Sequence, residues 1–175
     1  MASARYTIRP ARPHEVGPLP RIELAAAGLF PDEDLPQELR TEATPESAFS
    51  EAAEAGRLLI AVESRTRSPV GFALAGVVDG SAHLLELDVH PDHGRQGLGA
   101  RLIDAVAQWA RDRGDTGLTL TTFVHLAWNA PYYRRLGFET IARKETGPEL
   151  EGLLRQEAAK GLDPAKRVAM RLALA

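Results

Sequence analysis

The chain has 175 residues, 44% of them hydrophobic and 26% charged, with a formal net charge of −3 at pH 7 and no cysteine. That length predicts one domain over residues 1–175 with a sizeable core, and the composition excludes a wholly disordered or fibrous chain. The longest apolar run, Val70 to Val78, is too short for a helix to cross a bilayer, and the opening residues carry no apolar signal segment.

Arg5 to Arg9 alternates polar and apolar residues, as an edge strand does, and Pro10 ends it. Residues 14–29 read as a helix whose firm part starts near Pro20. Pro31 to Ser47 is rich in acids (Asp32, Glu33, Asp34, Glu38, Glu42, Glu46) against the single base Arg40. It reads as a solvated loop with a short helix, or as an acidic lip for a cationic substrate. Thr44-Pro45-Glu46 looks like a cap followed by a helix to about Ala55, stopped by Gly56. Leu58 to Glu63, Val70 to Val78 and Ala82 to Val89 are strand-like runs, with a hairpin signal at Asp79-Gly80. They predict an antiparallel meander.

After Pro91 the period changes. Leu98, Leu102, Val106 and Trp109-Ala110 mark one face of a helix that Arg111, Arg113 and Gly114 close. Leu118 to Val124 is a strand, Asn129-Ala130-Pro131 opens a helix that Gly137 stops, and Phe138 to Arg143 is a strand again. Pro148 to Lys160 reads as a helix and Arg167 to Leu174 as a final strand, which could pair within the chain or with a partner's sheet edge. This order predicts an α/β protein of the α+β type: one mixed central sheet of about six to seven strands, flanked by helices on both faces.

The chemistry concentrates in Leu84 to Ala100, LLELDVHPDHGRQGLGA. A strand ends at Val89, and a turn leads through Gly94-Arg95-Gln96-Gly97-Leu98-Gly99-Ala100 into a long amphipathic helix. Glycines there let backbone approach a ligand. The first N–H groups of the helix have no intrahelical partner, and its dipole favours an anion such as pyrophosphate. A P-loop would need Gly-Lys-Ser/Thr closing the loop, whereas here Gly97-Leu98-Gly99 is followed by Ala100, and the glycine order is GxxGxG rather than GxGxxG. Neither a nucleoside triphosphate nor a nicotinamide cofactor is favoured. The alternative is a glycine-rich turn with no ligand.

LDVHPDHGRQGLGARLI resembles motif A of the GNAT superfamily of acyl-CoA-dependent N-acyltransferases, and WNAPYYRRLGFE resembles its motif B. The two lie in the family's order and separation and cover roughly residues 82–140. The resemblance implies acetyl-CoA as co-substrate and no metal. It implies that Leu87, Asp88 and Val89 hold the pantetheine arm through backbone groups. Arg95, Gln96, Gly97, Leu98, Gly99 and Ala100 would hold the pyrophosphate, Asn129 would contact the cofactor, and Tyr133 would sit near the sulfur. One departure is visible: the family often has Arg or Gln three residues before the first paired glycine, where this chain has Gly94, with Arg95 shifted by one.

Acyl transfer to an amine needs a base for the ammonium proton, a donor to the oxyanion of the tetrahedral intermediate, and an acid for the leaving thiolate. The backbone N–H at Val89 and the phenol of Tyr133 suit the last two. His83 and Glu86 are the candidates for the base. Their odd spacing sends them to opposite sides of a regular strand. His90-Pro91-Asp92-His93 lacks a third metal ligand and reads as a loop start, and His125 as a loop residue. Trp109 is expected in the core, Trp128 over the cofactor or acceptor pocket, and Tyr132 in packing. The expected activity is an N-acetyltransferase acting on a primary amine, with a small cationic amine as acceptor. Protein N-terminal or lysine acetylation and a non-catalytic acyl-CoA-binding module are the alternatives. The net charge argues against nucleic acid. A cytoplasmic location with no membrane partner is expected, and the chain leaves room for a homodimer.

Overall fold

The computed structural model describes residues 5–175. Residues 1–4, which carry part of the expectation that no signal segment is present, lie outside the described residues. The elements run β1 (Tyr6–Pro10), α1 (Leu19–Ala27), α2 (Gln37–Thr41), α3 (Glu46–Glu54), β2 (Leu58–Glu63), β3 (Pro69–Val78), β4 (Ser81–Val89), α4 (Leu98–Asp112), β5 (Gly117–Phe123), α5 (Ala130–Arg135), β6 (Glu139–Thr140), α6 (Pro148–Ala159) and β7 (Arg167–Ala173). The seven strands form one mixed sheet in the order β1-β2-β3-β4-β5-β7-β6, flanked by the helices. By contact density the chain divides into two compact units, residues up to 75 with 86–108, and residues 76–85 with 109–175. No helix among the described residues is long and apolar enough to cross a membrane.

In the first unit, β1 pairs antiparallel with β2, Tyr6 opposite Glu63, and β2 pairs antiparallel with β3. All six residues of β2 are buried. Its core gathers Leu19 and Ile22 of α1, Phe49 and Ala52 of α3, and Leu58, Ile60 and Phe72 from the strands. Phe49 meets Phe72 edge-on, ring centroids 5.0 Å apart. The expected helix over 14–29 starts later, at Leu19. Pro13–Glu15 is a separate 3-10 turn held by the Glu15 carboxylate, which accepts from both terminal nitrogens of Arg9 and from the Arg12 N–H. Nor does Thr44 cap α3, whose preceding residue is Pro45. The Thr44 N–H and hydroxyl both donate to Glu23 of α1, at 2.8 and 3.1 Å.

In the second unit, Asp79 and Gly80 both take positive φ, 51° and 73°, the conformation that a two-residue hairpin turn demands. The Asp79 carboxylate then accepts from the Glu149 and Leu150 N–H groups at the start of α6, at 2.9 and 3.0 Å. β4 runs parallel to β5, Ala82 opposite Leu118. β7 pairs antiparallel with β5 over its whole length and with β6, so the final strand is paired within the chain on both sides. The expected strand Phe138 to Arg143 shrinks to two residues. Glu139 and Thr140 pair with β7, the Ile141 N–H still reaches the Ala169 carbonyl at 2.9 Å, and then Arg143–Glu145 turns as a 3-10 helix. Phe138 is buried and packs on Tyr133, ring centroids 5.6 Å apart. Trp109, expected in the core, is half-buried beneath the Arg113 guanidinium, 5.0 Å away.

His83 is only 2% exposed, and its Nδ1 lies 2.7 Å from the Thr119 hydroxyl across the β4–β5 pair. Burial pushes its pKa down to about 4, against a weaker upward pull from Glu157. Between its ordinary value and pH 4 the unfolded chain takes up this proton and the native chain does not. The stabilisation is therefore complete above pH 6.5 and disappears as pH falls towards 4. Denaturant unfolding from pH 7 to pH 4 should show wild type losing about 3 kcal/mol relative to His83→Gln; parallel pH curves would refute this.

Candidate active site

The first unit carries β4 from Glu86 onward and the glycine-rich turn. Glu86 and Asp88, two residues apart on β4, are half-buried and hydrogen-bonded to each other. Glu23, reaching in from α1, hydrogen-bonds Glu86 as well. Burial, then the neighbouring charges of Asp88 and Glu23, push the Glu86 carboxyl far above the usual carboxylate range. Burial raises Asp88 too, and there the hydrogen bond from Glu86 pulls the other way. A shared hydrogen bond between carboxyls needs a proton, and with both carboxyls raised by burial the pair holds one between them. Glu23 is held by its two bonds from Thr44.

Further along β4, the His90 N–H donates to the Val70 carbonyl of β3 at 2.8 Å. Successive N–H groups on a strand point to opposite edges, so the Val89 N–H projects away from β3. Gly71 of β3 makes room for this stretch: a Cβ there would come within 2.9 Å of the Asp88 carbonyl and 3.3 Å of the Val89 Cα. Leu87, between Glu86 and Asp88 on the strand, is half-buried.

The turn after β4 is built from His90 and His93. His90 Nδ1 accepts from the Asp92 N–H at 3.2 Å, and His93 Nδ1 lies 3.0 Å from the hydroxyl of the buried Tyr6. No group of three potential metal ligands occurs among the described residues. Arg95 and Gly97 both adopt left-handed backbone, φ 58° and 72°. Arg95 and Gln96 are exposed, whereas the Leu98 side chain is 2% exposed and anchors the helix in the core. The Arg101 N–H is the first to bond back, to the Gly97 carbonyl at 3.2 Å. The N–H groups of Leu98, Gly99 and Ala100 therefore precede the helical ladder. They stand at the positive end of a 15-residue helix, an arrangement that attracts an anion.

The acidic stretch before α3 is mostly solvated: Glu33, Glu38, Glu42 and Glu46 are exposed and Asp34 is buried. Arg40 closes it by donating to the Phe30, Pro31 and Leu35 carbonyls, and its guanidinium lies 3.4 Å from Asp32.

The second unit carries motif B. Asn129 precedes α5, accepts the Tyr133 N–H on its carbonyl at 2.9 Å, and donates from its side-chain amide to the Trp128 carbonyl at 3.2 Å. It is 9% exposed, and its Oδ1 is buried with no hydrogen-bond partner. Such an orphaned acceptor is costly unless something donates to it. Tyr133 is buried on α5 between Tyr132 and Phe138, both ring centroids at 5.6 Å. Trp128 and His125 are exposed. His83 also belongs to this unit, held by Thr119 rather than grouped with Glu86.

Glu23 and Thr44 were absent from the expected site. Glu23 is the one acid in α1, LPRIELAAA. A lone carboxylate in an apolar helix was the available signal, but its carboxyl partners Glu86 and Asp88 stand more than sixty positions away and Thr44 stands 21.

A family model described as the acetyltransferase (GNAT) family matches residues 23–138. Solved structures share the fold across nearly the whole chain. The PaiA N-acetyltransferase of Thermoplasma acidophilum, solved with coenzyme A, is 14% identical, with 96% of this chain and 98% of that chain covered and a TM-score of 0.67. The ribosomal-protein-S18-alanine N-acetyltransferase of Escherichia coli is 21% identical, with 97% and 94% covered and a TM-score of 0.66. Ard1 of Thermoplasma volcanium is 18% identical, with 98% and 99% covered and a TM-score of 0.67. With the model spanning well over half of the sequence and the seven-stranded sheet in place, the chain belongs to the GNAT family of acetyltransferases.

Proposed function

We propose that this chain is an N-acetyltransferase that moves an acetyl group from acetyl-CoA to a primary amine, and that the acceptor is a small cationic amine. The observation that carries the acceptor is the carboxyl group of three, Glu23, Glu86 and Asp88. Held together without a counter-charge, they keep a proton that an isolated carboxylate would release. An arriving ammonium supplies the missing positive charge and draws Glu86 back towards its ionised form.

The residues present fit coenzyme A. Its diphosphate suits the unladdered N–H groups of Leu98, Gly99 and Ala100, with Arg95 and Gln96 beside them and Gly97 keeping the turn open. Its pantetheine amides would pair with the Leu87–Val89 backbone, and an amide N–H suits the orphaned Oδ1 of Asn129. Acetyl-CoA supplies the acetyl thioester.

This chain's residues then handle protons and charge. With the ammonium bound, the proton shared by the carboxyls leaves to solvent, and the Glu86 carboxylate accepts a proton from the ammonium, leaving the nitrogen lone pair free to attack the acyl carbon. The Val89 N–H donates to the acyl oxygen as it gains charge. The carbon–nitrogen bond forms, the carbon–sulfur bond breaks as the Tyr133 hydroxyl gives its proton to the departing sulfur, and the surplus proton left on the nitrogen returns through solvent to the Tyr133 oxygen. His83, buried against Thr119 and driven towards its neutral form, has a packing role in this reading.

A screen of amines that follows thiol release from acetyl-CoA tests the activity. Diamines and aminoglycoside-like polycations should turn over ahead of neutral or acidic amines; cofactor binding with no turnover across the panel would leave a binding module instead. Glu86→Gln should lower kcat by about 100-fold or more. Glu23→Gln removes a negative neighbour, so the rising limb of the kcat/KM–pH profile should move to lower pH by about one unit. An unmoved limb would take Glu23 out of the mechanism. Asn129→Ala should weaken coenzyme A about tenfold in calorimetry, whereas Tyr133→Phe should lower kcat and leave that affinity intact.

A further inference from the structure

The second unit contains a cavity of about 330 Å³ under α6, lined by β6, β7 and the segments around them, and none of the residues assigned to acetyl transfer lines it. Its apolar wall includes Ile141, Leu154 and Val168. Its charged wall is three arginines, Arg143, Arg155 and Arg167, and no carboxylate is among the lining residues. The counter-charges stand behind this wall. Glu157 accepts from Nε and Nη2 of Arg167, both at 3.1 Å. Glu151 accepts from Nη2 of Arg143 at 3.0 Å and is drawn by Arg155 as well. Arg167 also lies over the Phe123 ring at 4.7 Å, and the lining carries three guanidiniums against two carboxylates behind it, beside an apolar surface.

We propose that this cavity is a second binding site, for a small monoanionic carboxylate with an apolar body. A guanidinium presents a planar pair of donors that matches a carboxylate, and the Ile141–Leu154–Val168 wall removes the rest of the ligand from water. The volume lies at the small end of ligand pockets, which suits one ring or a short branched chain and excludes a nucleotide. The arginines select the anion, and the apolar wall selects against inorganic phosphate.

The test uses the full chain without an acetyl donor, so its outcome is independent of the acetyltransferase reading. Calorimetry with 3-phenylpropionate should give saturable binding with a Kd on the order of 1 mM or tighter. The neutral 3-phenylpropionamide and the cationic 3-phenylpropylamine should bind at least about tenfold more weakly. Arg155 is exposed on α6, so Arg155→Gln should melt like wild type and weaken the carboxylate about tenfold. Amide resonances of Ile141, Ala158 and Val168 should move on titration, and saturating coenzyme A should leave the affinity unchanged. Equal affinity for the three probes, indifference to Arg155→Gln, displacement by coenzyme A, or no saturable binding of the carboxylate would each overturn the proposal.

Discussion

Two carboxyl groups two residues apart on a strand cannot both ionise at close range without a neighbouring cation. That constraint organises the first unit. Glu86 and Asp88 on β4 meet a third acid, Glu23, where a lysine or arginine would have made a closed ion pair. Glu23 is fixed in turn by Thr44, which gives up the capping role its sequence position suggests. Glu86 and Asp88 lie on the strand that leads directly into the glycine-rich turn. A site built this way is more stable once its charge deficit is filled.

The turn after β4 applies the opposite electrostatics with different groups. There the charge comes from peptide dipoles and from N–H groups that precede the first helical bond at Arg101. The long helix behind them is rooted by Leu98, Leu102 and Val106, each nearly inaccessible to water. Because the N–H groups belong to the backbone, their direction is set by the helix and not by side-chain rotamers, so they cost no ordering entropy when an anion arrives. The orphaned Oδ1 of Asn129 is a smaller instance of the same strategy, an acceptor already desolvated.

Much of this was legible in local patterns. The Asp79-Gly80 hairpin, the α4 stripe, the GxxGxG turn and the order of elements each depend on residues within a few positions of one another, where periodicity and turn chemistry decide. The failures share a different cause. Phe138 to Arg143 carries strand-like residues, yet pairing stops after Thr140 and the chain turns away at Arg143–Glu145. Thr44 reads as a cap until a carboxylate 21 positions upstream takes its donors. His83 looks like a titratable base near a hairpin until β5 buries it against Thr119. Glu23 stands out in no local pattern because its carboxyl partners are brought to it only by the fold. The arginine-lined cavity likewise joins residues from positions 140 to 169 that form no motif in the sequence.

Gly94 and Arg95 stand in an order that the backbone does not ask for. Gly94 has φ −63°, which any residue adopts, although a Cβ there would sit 3.1 Å from the Pro91 carbonyl. Arg95 holds φ 58°, where an L-residue is strained by roughly 1 kcal/mol. The chain therefore keeps a branched, charged side chain at the very residue where an achiral one would relax the loop. A sequence selected for heat resistance alone would be expected to drift towards glycine at this position.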